Sequence, residues 1–179
     1  MRSGSEPSVM NRLSSLLASY GRYHRDPRNR LTHYFGVPAI IFAVLIPAAL
    51  YSVPLHGFSV HLDRIIVAAA VVGYVALDVR LGLALAVVLG ALAAAAEATA
   101  MLGSSHALAV AAATFVAGWG LQLLGHHVEG NRPAFLTNLV QLVVAPLYLG
   151  AEVGFALGLR SSLRRQVEEQ LGPAPTPNR

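Results

Sequence analysis

Gly118–Phe135, GWGLQLLGHHVEGNRPAF, closes a long apolar run and turns within a few residues to His126, His127, Glu129, Asn131 and Arg132. An answering stretch, Tyr20–His33 (YGRYHRDPRNRLTH), carries His24, Asn29 and His33 immediately before the first apolar run. Apolar runs of roughly 20 residues are the length that spans a bilayer as a helix. If these runs are membrane helices, both polar stretches sit at helix ends, and the number of passes between them decides whether they meet.

Composition supports that reading. The 179 residues are 55% hydrophobic and only 12% charged, about half the charged fraction of an average soluble domain. There is no cysteine, which removes disulfides, iron–sulfur clusters and thiolate sites and leaves His, Asp and Glu as metal ligands. The net charge of +4 comes from arginine, with no lysine. These arginines flank apolar segments, the pattern of topology signals and anionic headgroups rather than of nucleic-acid binding. The first 30 residues are polar and lack a short apolar region with a cleavage site, so no signal peptide is expected.

In chain order, residues 12–23 place Leu13, Leu16, Leu17 and Tyr20 on one face, predicting an amphipathic helix lying on the membrane surface. Asp26-Pro27 reads as a helix start, with the helix running to about Leu50. Residues 51–63 read as a loop. Further spans are expected over about Arg64–Val79, Leu81–Leu102 and His106–Gly125. The last apolar run, about Phe135–Leu159, contains Pro146 and a stripe of Asn138, Gln141, Tyr148 and Glu152, which should face the bundle interior. The predicted fold is all-α: a multi-pass transmembrane bundle of four to five apolar segments, the last broken at Pro146. Its parts are a surface segment at 1–23, a transmembrane catalytic domain at 24–160 and a tail at 161–179.

Topology brings the polar stretches together. Six arginines precede the first span, which puts that end in the cytoplasm. Four spans return the chain there at His126–Arg132. A fifth straight span would strand Arg160, Arg164 and Arg165 outside, so the run is expected to re-enter or split at Pro146, packed within protein as such breaks require.

His126 and Glu129 are three apart and Gln122 is four before His126, so all three share a helical face. Such a pair is either a usable set of metal ligands or a hydrated helix terminus. His127 points about 100° from His126; it is a ligand only if the helix end loosens. His24 and His33 are nine apart with a helix start between them, so they act from a loop and a helix, or are interfacial. His56, His61 and His106 fall at the opposite ends of the spans and read as interfacial. A His/carboxylate set without sulfur suits iron(II), zinc or manganese.

These residues carry a resemblance. Tyr20, His24-Arg25-Asp26-Pro27, Asn29, His33 and Gly36-Val37-Pro38, then Gln122, Gly125-His126, Glu129, Arg132-Pro133-Ala134, Ala145-Pro146-Leu147 and Glu152, resemble in order the patterns of the membrane 2-hydroxy-fatty-acid dioxygenase family. The resemblance implies an Fe(II) enzyme of fatty acid α-oxidation, acting on a 2-hydroxy fatty acid and O2. His24, His33 and His126 are the expected metal ligands with His127 as a fourth; Glu129 and Glu152 are further ligands or groups orienting them. Asn29 belongs to the same motif. Arg132, Arg25 or Arg28 would hold the substrate carboxylate, and the acyl chain would lie against the small residues of the third and fourth spans. The eukaryotic members act in the endoplasmic reticulum; a chain this compact is expected in a bacterial inner membrane, its metal near the cytoplasmic face. The competing readings are a membrane metal-dependent lipid hydrolase or hydroxylase on the same ligands, and a non-enzymatic scaffold or transporter.

Overall fold

The computed structural model describes residues 9–133 and 138–173. The elements are α1 (Val9–Gly21), α2 (Pro27–Ala49), β1 (Ser52–Leu55), β2 (Phe58–His61), α3 (Leu62–Leu77), α4 (Val79–Ala100), α5 (Ser104–Glu129), α6 (Val140–Ala156) and α7 (Ser161–Leu171). The chain is an all-α, multi-pass helical protein. Three helices, α2, α4 and α5, are long and apolar enough to cross a membrane. At 16 residues, or about 24 Å, α3 is shorter, yet it runs the length of α4. Arg64 at its start pairs with Glu97 near the end of α4, and Asp78 closes it and opens α4.

Local sequence accounts for the breaks. The Asp26 side chain accepts from Arg28 N–H at 2.8 Å, and Pro27 takes the first helical position, where a missing N–H costs nothing. Gly130, at φ 72, ends α5 in the left-handed region, where glycine carries no Cβ penalty. Residues 51–63 are not a plain loop: 52–61 pair as an antiparallel hairpin with Leu55 opposite Phe58. Gly57 supplies the positive φ of the turn, and Val53, Leu55, Phe58 and Val60 are the β-branched, aromatic and aliphatic residues that suit a ladder.

The tightest helix pair is α2 with α5, and glycine makes it possible. A Cβ at Gly36 would lie 3.0 Å from the Gly118 carbonyl, and one at Gly118 would meet Ile40 Cγ1 at 2.8 Å. Small residues allow this approach where lipid provides no hydrophobic drive between helices. At the hairpin end, Leu45, Ile46, Ala49, Ala93, Ala96, Ala107 and Ala111 form one core cluster.

The last apolar run departs from expectation. Pro146 does not break it; α6 continues through Pro146, and the chain turns instead at 157–160, where Gly158 and Arg160 have positive φ and α6 and α7 diverge by 118°. Nor does α6 cross the bundle. Near its start, Gln141 Nε2 donates to Ser19 Oγ in α1 at 3.0 Å. Near its end, Arg30 at the start of α2 pairs with Glu152 at 3.1 Å, and Arg160 makes a two-pronged pair with Asp78. Both ends of α6 therefore lie at one end of the bundle, where α1, α6 and α7 form a cap. The charge problem of a fifth span disappears without a re-entrant hairpin. The apolar stripe of α1 faces inward: Leu13, Leu17 and Tyr20 are buried with Leu147, Tyr148, Leu163 and Val167.

Candidate metal centre

The start of α2, the end of α5 and the α1–α2 connection meet under this cap. His24, His33 and His126 converge there, each offering a ring nitrogen within 4.8 Å of the others. All three are buried, at 1%, 2% and 4% exposure, which three imidazoles do not tolerate without polar partners.

Their hydrogen bonds decide the tautomers. His24 Nδ1 lies 2.8 Å from the Tyr20 carbonyl, and His33 Nδ1 lies 2.9 Å from the Asn29 carbonyl. A carbonyl only accepts, so each Nδ1 carries the proton and donates. In a neutral ring that leaves Nε2 as a lone pair. The two Nε2 atoms nevertheless face each other at 3.1 Å, two acceptors with no proton between them. A cation resolves this conflict: the separation suits two nitrogens each about 2.1 Å from a common ion. His126 supplies a third observation, a buried Nδ1 with no hydrogen-bond partner. The donor set thus fits a metal, and backbone carbonyls already orient two of its ligands. Burial first, and the neighbouring His33 second, push the His24 imidazole down to about 3, so it is neutral and its lone pair free at ordinary pH. The Tyr20 ring stacks on His24 at 4.0 Å with planes 1° apart.

Of the remaining sequence candidates, Asn29 and Glu129 stand beside the cluster. Glu129 Oε1 accepts from the Arg25 and Asp26 N–H groups at 2.6 and 3.1 Å, and Oε2 accepts from Asn29 Nδ2. Glu129 thereby ties the end of α5 to the start of α2. Asn29 Nδ2 also reaches the Tyr23 carbonyl at 3.2 Å. Gly125 faces this knot; a Cβ there would overlap Thr32 Oγ1 and Asn29 Oδ1. His127 is not brought in: α5 stays helical through Glu129, so the ring is turned away and exposed. Glu152 holds Arg30. Arg132 is exposed, Arg28 pairs with Asp26, and Arg25 donates to the Leu171 carbonyl at 2.6 Å. Among the described residues, the group that could hold a metal comprises the three histidines alone. His56, His61 and His106 lie at the hairpin end, His61 Nδ1 donating to the Ala49 carbonyl at 2.9 Å.

The three histidines form the polar end of a cavity of about 440 Å³, within the usual range for a small-molecule site. Its walls are Val37, Ile40, Ile41, Val44 and Leu45 of α2, with Ile66, Val67, Phe115 and Trp119 opposite. The α2 wall from His33 to Leu45 is about 18 Å long. The walls are shared by α2, α3, α5 and α6, while α4 contributes only Leu89; the small residues of α4 and α5 go to helix packing instead. Val44, Ile66, Phe115, Leu142 and Val143 are also exposed, so the cavity opens on the apolar flank of the bundle. Behind His24 lies a polar chamber of about 260 Å³ that includes Arg25, Arg30, Tyr148 and Glu168. Gln122 and Gln141 are the amides of the main cavity. Sequence reasoning noted both and gave neither a role, since nothing in the pattern shows which amide stays unpaired.

A family model described as 2-hydroxy-palmitic acid dioxygenase Mpo1-like matches residues 10–157. The chain belongs to this family. The chain is also 33% identical over 162 residues to the Saccharomyces cerevisiae protein named 2-hydroxy-palmitic acid dioxygenase MPO1, covering 89% of each chain. No solved structure matches it. The histidine cluster lies inside the matched region, as does every wall of the cavity.

Proposed function

We propose that this protein is an iron(II)-dependent membrane dioxygenase that converts a 2-hydroxy fatty acid to the acid one carbon shorter. The observation that carries the reading is three buried histidines with unprotonated nitrogens at the head of a long apolar cavity. The yeast relative's name, a 2-hydroxy-palmitic acid dioxygenase, supports the substrate class. Iron(II), when bound, supplies the open positions and the electrons through which O2 reacts with a chelating 2-hydroxy acid. The overall change, R-CH(OH)-COOH + O2 to R-COOH + CO2 + H2O, balances without an outside reductant.

The chain's residues do the rest. His24, His33 and His126 hold the ion. The Tyr20 and Asn29 carbonyls fix the rings of the first two, and Glu129 and Asn29 lock the loop and helix that carry them. The α2 wall takes the acyl chain and keeps water from the reacting end. The cavity's opening onto the apolar flank gives a membrane lipid direct entry. Arg22, Arg25, Arg28, Arg30, Arg160, Arg164 and Arg165 all sit at the histidine end, and by the positive-inside rule this bias supports a site near the cytoplasmic face.

Metal analysis of anaerobically purified protein tests the reading, wild type beside His126→Ala. About one iron per chain, lost in the variant, is expected, with O2 uptake on adding 2-hydroxypalmitate. Stoichiometric zinc would favour the hydrolase reading. No metal in either sample after iron(II) is supplied would leave a scaffold or transporter.

A further inference from the structure

Gln141 is 6% exposed, lies one residue into α6 and lines the cavity that ends in the three histidines. Its amide is held from one side only: Nε2 donates to Ser19 Oγ at 3.0 Å, and Oε1 is buried without a partner. Ser19 precedes Tyr20, whose ring stacks on His24, so the amide stands at the histidine end of the cavity. A buried acceptor without a donor costs the fold about 1–3 kcal/mol, and such an exception calls for an explanation. Its neighbours on α6 along the wall, Leu142, Val143, Ala145 and Pro146, are apolar, and the Tyr74 hydroxyl already donates to the Val143 carbonyl at 2.8 Å. What is missing is a donor, near the metal ligands, on a molecule otherwise suited to hydrocarbon walls.

We propose that Gln141 is the specificity residue of this site, its Oε1 accepting a hydrogen bond from the 2-hydroxyl of the bound fatty acid. The inference rests on the proposed function and adds what the histidines do not supply. A carboxylate binds a cation whether or not a hydroxyl stands beside it. A plain fatty acid would bury Gln141 Oε1 still unpaired, and a site built around such an acceptor rejects the analogue that lacks the donor.

The test measures binding rather than turnover. Trp119 is the single tryptophan and lines the cavity, so its fluorescence reports occupancy in lipid nanodiscs. Palmitate, 2-hydroxypalmitate and 3-hydroxypalmitate are titrated into the metal-free protein and, without O2, into the iron(II)-loaded protein. Metal-free wild type is expected to prefer the 2-hydroxy acid to palmitate by about tenfold and to gain nothing from a 3-hydroxyl. Gln141→Met removes that preference and leaves palmitate affinity within about twofold. Ser19→Ala, which loses the anchor but keeps Oε1, retains the preference. If Gln141→Met still discriminates, or the 3-hydroxy acid is favoured equally, the inference is overturned while the dioxygenase reading stands. Loss of discrimination in both variants makes Gln141 an anchor for α1 and also overturns it. A wild type that binds none of the three acids, loaded or metal-free, removes the functional reading and the inference together.

Discussion

His24 and His33 each commit Nδ1 to the carbonyl four residues earlier, and that choice leaves two lone pairs facing each other. A bound cation would therefore stabilise the site as well as serve its chemistry. Adding iron(II) or zinc to the metal-free protein should raise Tm by several degrees, following the ligand's preference for the folded state. His33→Ala should abolish the rise, as followed by a thermal-shift series. Glu129 acts differently. Its carboxylate accepts three hydrogen bonds from the start of α2 and the loop before it. Glu129→Ala should cost about 2–4 kcal/mol and weaken metal affinity through the displaced His24 and His33, with Tm and metal titration read together. A ligand role would instead abolish metal binding while leaving the metal-free Tm unchanged. The residues of the site were legible as types and spacings, but Glu129 as a latch was not. A carboxylate three residues from a histidine is the same string whether it binds a metal or caps the next helix.

Among the elements, the α2–α5 crossing sets the ligand geometry. Gly125 is its tightest point, so Gly125→Ala must push Asn29 away from Glu129. Metal affinity should drop by more than tenfold, the scale on which groups supporting metal ligands act, with far-UV dichroism unchanged. The cap depends on the Asp78–Arg160 pair. Burial raises the Asp78 carboxyl, and hydrogen bonds from Arg160 and the Leu81 N–H outweigh it, leaving the carboxyl below its ordinary value. A carboxyl lowered on folding stabilises above its unfolded pKa, and that contribution is lost as pH falls through the folded one. Acidification below about pH 4 should therefore loosen α7 ahead of the transmembrane helices, and Asp78→Asn should do so at neutral pH. Hydrogen exchange in 161–171 reads both. The partner of Asp78, Arg160, is 82 residues away, a pairing that no local pattern in the sequence marks.

At the scale of the molecule, α2 to α5 run up and down the bundle, an arrangement that predicts four crossings, and α1, α6 and α7 cap the end that holds the histidines. The absence of cysteine makes this testable on a clean background. A single cysteine at His56, on the hairpin, should react with an impermeant thiol reagent from one side of a sealed vesicle. One at Arg165, in the cap, should react only from the other. Labelling of both from one side would mean that the chain does not make these four passes.

The sequence by itself determined the all-α membrane class, the starts of α2 and α4, the return of the chain after four apolar runs, and four histidines as candidates, His127 among them. Hydropathy, capping residues and charge bias are local properties, and local properties are written in order along the chain. Tertiary structure decided what an apolar run does with its apolar face. The 140–156 segment lies across the bundle end because α1 and α4 offer it protein to pack against, and its Pro146 is tolerated within that packing. Tertiary structure also chose among the candidate ligands, since Glu129 found backbone N–H groups and His127 found solvent. It left Gln141 with an unanswered acceptor because only the assembled fold buries that amide.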